Sequence, residues 1–100
     1  MIFLWTWGGI FFGYRKDNYL WTHDGKNVGK FYDNEVYDMN GEYLGEIRNE
    51  NRLIINLNKG NYRKPPFTPY ADVIGIVPYA NYVGYVMYVG HEDFHLPEDL

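Results

Sequence analysis

Five cations fall close together after residue 47 in a chain that otherwise leans acidic: Arg48, Arg52, Lys59, Arg63 and Lys64, against a net charge of −4. Tyr62, Phe67 and Tyr70 are interleaved with them. A guanidinium grips phosphate through paired hydrogen bonds, and aromatic faces stack on bases. The combination predicts a site for a small anionic or nucleotide-derived ligand. The candidate set is Arg48, Arg52, Tyr62, Arg63 and Lys64, joined by Tyr79, Asn81 and Tyr82 from a Tyr-rich stretch. The competing reading is a solvated edge and linker whose charges block aggregation. General nucleic-acid binding is not expected, because it needs a basic surplus.

Other reactive groups point to turns rather than chemistry. His91, Glu92, Asp93 and His95 lie close together, but His residues four apart converge on a metal only in a helix, which this stretch does not support; it reads as a solvated acidic tail. His23-Asp24 sits in a turn dipeptide region. Asp17 and Asp33 occupy equivalent junctions, so turn chemistry outweighs an acid–base role for them and for Asp38. The chain has neither Cys nor Ser. Thiol and serine nucleophiles are therefore excluded, and no catalytic constellation or cofactor is expected. The lack of Cys fits a reducing, cytoplasmic setting.

The elements that must position these residues come from a repeat. Residues 3–18, 19–34 and 35–50 are three copies of one 16-residue unit: FLWTWGGIFFGYRKDN, YLWTHDGKNVGKFYDN and EVYDMNGEYLGEIRNE. Gly9, Gly25 and Gly41 recur, as do Gly13, Gly29 and Gly45. The dipeptides Gly8-Gly9, Asp24-Gly25 and Asn40-Gly41 predict tight turns with φ > 0 at both central residues, each between two short β-prone runs. The second Gly falls in the return strand and predicts a bulge, a bend or a close approach, the unit's own aromatic ring being one candidate. Trp5, Trp21 and Tyr37 hold one aromatic position, either as hub core or as pocket lining. The apolar start, MIFLWTWGGIFFG, has no positive charge before it and is too short to span a bilayer, so it reads as the first hairpin.

Beyond residue 50 the pattern loosens. Residues 51–61 suggest a degenerate fourth unit, 62–69 a Pro-rich surface connector, 70–90 C-terminal strands (Val73–Val77 and Tyr82–Val89), and 91–100 the tail. The whole predicts one all-β domain: a small pseudo-symmetric barrel of repeated hairpins, three units plus a C-terminal hairpin. The aromatic–x–x–Asn/Asp–Gly–x–x–apolar–Gly–x–apolar pattern, as in Tyr37 to Ile47, resembles that of the four-fold beta flower proteins. The resemblance implies a shallow barrel of hairpin petals and carries no substrate.

The function expected is a non-enzymatic binding module for the small anionic ligand. The alternative is an interaction or structural module that self-associates through the Tyr-rich C-terminal stretch, with a homo-oligomer as partner.

Overall fold

A computed structural model describes all residues, 1–100. The strands are β1 (Ile2–Thr6), β2 (Phe11–Lys16), β3 (Tyr19–Thr22), β4 (Asn27–Tyr32), β5 (Glu35–Tyr37), β6 (Tyr43–Arg48), β7 (Arg52–Asn56) and β8 (His91–Asp93). They pair antiparallel in chain order. A parallel pairing of β1 with β7, Trp5 opposite Arg52 and Thr6 opposite Leu53, closes a seven-stranded barrel. β8 lies outside the closure, on the remaining length of β7, with Ile54 opposite Asp93 and Asn56 opposite His91. The all-β hairpin barrel expected from the repeat is therefore present, and the apolar N-terminus is its first hairpin.

Two kinds of turn build it. At the unit junctions, Asp17 and Asp33 take φ of 55° and 53° and reverse the chain, as their equivalent positions predicted. At the tips, only the second residue of the expected dipeptide has positive φ: Gly9, Gly25 and Gly41, at 96°, 93° and 82°. The expectation of two left-handed residues per tip is thus corrected. Each tip is a wider loop held from inside. Thr6 N–H donates to the Ile10 carbonyl, and Thr6 Oγ1 accepts from Ile10 N–H at 3.2 Å. Thr22 repeats this with Lys26, and Asp38 with Glu42.

Each repeat hairpin carries the expected bulge in its return strand, where one extra residue, Phe12, Val28 or Leu44, stands beside the second Gly opposite the Leu4/Trp5, Leu20/Trp21 and Val36/Tyr37 steps. The second Gly is a close approach by the next hairpin. A Cβ on Gly13 would sit 2.1 Å from the Trp21 carbonyl oxygen, and one on Gly45 2.7 Å from that of Ile54. Backbone and not an aromatic ring of the same unit sets the requirement at Gly13.

The core repeats with the hairpins. Leu4, Leu20, Val36 and Leu53 are each fully buried, one from the first strand of each pair. Phe12, Leu44 and Phe94 face them from return strands or just beyond. The fourth hairpin is thus β7–β8, and residues 57–90 are an insertion between its two strands. This corrects two expectations. Residues 51–61 supply only half of the fourth unit, and the 91–100 segment is not a solvated tail, since it provides β8 and buries Phe94.

The insertion departs from the expected C-terminal strands as well. Neither Val73–Val77 nor Tyr82–Val89 forms a strand. The chain instead runs as a strap across the three hairpin tips. Lys64 N–H donates to the Gly41 carbonyl and Phe67 N–H to that of Met39. Val73 and Ile76 do the same at Gly25 and His23, and Tyr82 and Tyr85 at Gly9 and Trp7. The donors on one tip are three residues apart, and equivalent donors on successive tips are nine apart. A three-residue period is that of polyproline II, whereas a strand would present every second residue. At about 3.1 Å per residue, residues 64–90 would extend roughly 80 Å. The molecule measures 36 × 33 × 22 Å, so the strap must bend round it.

The aromatic girdle and the exposed ridge

Each triplet of the strap has one inward place, which falls on Phe67, Tyr70, Val73, Ile76, Tyr79, Tyr82, Tyr85 and Tyr88. These meet the aromatic residues on the outside of the barrel. Tyr82 stacks on Trp5, with ring centroids 3.9 Å apart and planes 15° apart. Tyr79 packs edge-on against Phe3 at 4.6 Å, and Tyr85 and Tyr88 flank Trp7 at 4.9 and 5.1 Å. The indole N–H groups of Trp5 and Trp7 donate to the carbonyls of Ala80 and Val86. Trp5, Trp21 and Tyr37 accordingly lie outside the hub, where Trp5 and Trp21 seat the strap and also line the hollows between it and the barrel.

The expected ligand residues separate into groups under this arrangement. Arg52 is buried. Its guanidinium donates to the carbonyls of Trp7 at 3.1 Å and Val83 at 2.9 Å, and it lies between the Tyr82 and Tyr85 rings at 5.3 and 4.3 Å. Asn81 Oδ1 accepts from Phe11 N–H at 3.0 Å. Arg52, Tyr79, Asn81 and Tyr82 thus meet at the first tip and pin the strap there. Tyr62, Arg63 and Lys64 lie at the third. Arg63 donates to the carbonyls of Gly60 and Tyr62 and lies 3.7 Å from Glu42, and Lys64 Nζ sits 5.1 Å from the Tyr32 ring. Arg48 pairs with Glu46 at 3.4 Å and faces the Tyr88 ring.

An ionic cluster that the sequence reading did not single out lies beside the third tip. Lys59 Nζ is 2.7 Å from Glu35 Oε2 and 2.9 Å from Glu46 Oε1. Tyr37 donates to Glu35 and Tyr43 to Glu46. Burial raises the Tyr37 hydroxyl, and its hydrogen bond to Glu35 adds to this, to about 12. Burial and the Glu46 contact raise Tyr43 too. Burial would raise Glu46, but the bonds from Lys59 and Tyr43 outweigh it and hold the carboxyl below its usual range. Both phenols thus stay protonated as donors, which suits packing and not proton abstraction.

The outward places of the triplets form the other face. Ile74, Val77, Val83, Val86 and Val89 are 94%, 87%, 88%, 89% and 102% exposed, with Ala80 between them. A row of aliphatic side chains in water at one spacing is unlike the scattered exposure of ordinary surfaces. The signal was legible in the triplets Tyr82-Val83-Gly84, Tyr85-Val86-Met87 and Tyr88-Val89-Gly90, and in Pro69-Tyr70-Ala71 recurring as Pro78-Tyr79-Ala80.

Fold and surface together define a hairpin barrel girdled by an aromatic strap that carries an aliphatic ridge. No family model, curated protein or solved structure matches the chain. No helix is long and apolar enough to cross a membrane.

Proposed function

We propose that the protein is a non-enzymatic interaction module that self-associates through the strap. The observation that carries this is the ridge from Ile74 to Val89, whose aliphatic side chains are almost wholly in water. Covering such a row is favourable by about 25 cal/mol per Å² of apolar area removed from water. The rings behind it are already engaged with the barrel, so the ridge is held in place before any partner arrives. Low ordering cost favours association. The absence of cysteine supports a cytoplasmic setting. The hairpin motif and the four hairpin-like pairs support kinship with the four-fold beta flower proteins.

A small anionic or nucleotide-derived ligand has less behind it. Arg52 is enclosed, Arg48 and Arg63 face carboxylates, and Asn81 is held by the backbone of Phe11.

Sedimentation velocity across a micromolar to millimolar series tests the proposal. The wild type should associate with rising concentration, and Val83→Asp/Val86→Asp should stay monomeric with unchanged circular dichroism. A wild type that remains monomeric at millimolar concentration would overturn it.

A further inference from the structure

The strap and barrel meet in three repeat-equivalent places, and these are filled differently. In the first, Tyr82 covers Trp5 at contact distance, and the remaining hollow of about 400 Å³ is lined by apolar and aromatic residues alone. In the third, two ammonium groups of the chain itself occupy the tyrosine surface. Lys59 Nζ lies between Glu35 and Glu46 and 5.9 Å from the Tyr62 ring. Lys64 Nζ lies 5.1 Å from the Tyr32 ring and 5.8 Å from that of Tyr37.

The second place is covered less closely at its ring, although Trp21, at 8% exposed, is nearly as buried as Trp5 at 6%. Val73 stands where the first has Tyr82, nine residues earlier, so no ring is laid down on Trp21 at contact distance from the strap. Trp21 and Tyr70 are nearly parallel, 13° apart, with centroids separated by 6.1 Å. Tyr19 meets Tyr70 edge-on at 5.0 Å. The hollow is about 420 Å³, and its charged lining is Asp17, Asp72 and Lys16. Lys30 lies nearby, 6.0 Å from the Tyr19 ring and 5.4 Å from that of Tyr32.

We propose that this hollow binds a weakly hydrated organic cation, a quaternary or alkylated ammonium group, against Tyr19, Trp21 and Tyr70 with Asp17 and Asp72 as counter-charges. Aromatic faces attract a cation through the ring quadrupole, most strongly where water is displaced. Sodium does not compete, since it keeps its hydration shell. Asp17 and Asp72 match Lys16 and Lys30 in number, and both flexible lysine side chains can turn to solvent when a cation enters. The third place shows the same preference satisfied internally by lysine. This site is separate from the ridge and does not depend on self-association.

The test is a titration with tetramethylammonium chloride, followed by the indole N–H resonance of Trp21 in a ¹H–¹⁵N spectrum. Sodium chloride at matched ionic strength and neutral neopentyl alcohol serve as controls. The cation should give a saturable shift confined to Trp21 and its neighbours. Asp72→Asn and Asp17→Asn should each weaken it roughly three- to tenfold, consistent with a partly exposed charge contact. Asparagine tolerates the left-handed backbone of position 17, so both variants should fold. The proposal is overturned if no saturable shift occurs, if neopentyl alcohol shifts Trp21 equally, or if both variants bind as the wild type does.

Discussion

Glu46 and Lys59 show how single residues of the third hairpin depart from the other two. Glu35 stands where the first two units have Phe3 and Tyr19, and Lys59 reaches across to join it with Glu46. Glu46 has a folded pKa below its unfolded value, so its contribution is complete above about 4.3 and is lost as pH falls through the folded value. Burial would lower Lys59, but the bonds to Glu35 and Glu46 prevail and raise it. Its contribution is complete below about 10.4 and is lost as pH climbs through the folded value. Tyr37, near 12, reinforces the alkaline limb. Urea midpoints measured against pH should therefore fall at both ends. Glu46→Gln should lower stability by about 1–3 kcal/mol near neutrality and flatten the acid limb. An acid limb of undiminished slope in that variant would show that other carboxylates govern it.

At the level of elements, the strap depends on bare backbone at the tips. Gly25 combines φ of 93° with a strap carbonyl, that of Val73, only 2.0 Å from where a Cβ would lie. Gly25→Ala must strain the tip, push the strap away, or both. A loss of about 2–4 kcal/mol is expected, with red-shifted Trp fluorescence as the strap lifts. Gly60 is the contrasting case. Its φ is −60° and a Cβ would come no closer than 3.8 Å to the Leu57 oxygen. Gly60→Ala should be neutral or stabilising by up to about 1 kcal/mol. Equal losses in the two variants would mean that clearance at the tip is not what matters. The second glycines belong to the same logic one layer in, where strand backbone of one hairpin crosses the next.

Across the whole molecule, closure joins distant parts of the chain. β1 meets β7, and β8 returns to β7 only after the strap has crossed all three tips. Asp93 ties the end of that circuit to the first tip by accepting from Gly8 N–H at 3.0 Å. Phe94 then enters the core against Phe12, with ring centroids 5.2 Å apart. Phe94→Ala should cost about 3–5 kcal/mol, in one cooperative denaturant transition, while exposed His95→Ala should stay within about 0.5 kcal/mol of wild type. A Phe94 variant as stable as the His95 variant would show that β8 is an appendage rather than the second half of the fourth hairpin. The total accessible surface, 5841 Å², is close to the roughly 5,900 Å² expected of a folded monomer this size. What is unusual is its distribution, with aliphatic side chains concentrated on one ridge.

The sequence alone determined the hairpins, their 16-residue period and the places of their turns, because these rest on local backbone preferences and on which residues can face a core. Asp17, Asp33, Gly9, Gly25 and Gly41 announce themselves wherever the rest of the chain lies. It also held the strap, in triplets that alternating apolar residues disguise as strands; Val73–Val77 and Tyr82–Val89 have β-prone composition with a period of three rather than two. Only the tertiary structure decided that Arg52 is a buried pin, because its partners Trp7, Val83 and Tyr85 are some 30 or more residues away. It alone decided how closely each outer ring is covered, since that depends on Tyr82 stacking on Trp5 at 3.9 Å while its counterpart Val73 brings no ring to Trp21 and the nearest strap ring there, Tyr70, stands at 6.1 Å. Residue type sets what a side chain can bind, but burial and partners, fixed by contacts between distant segments, set whether it is free to do so.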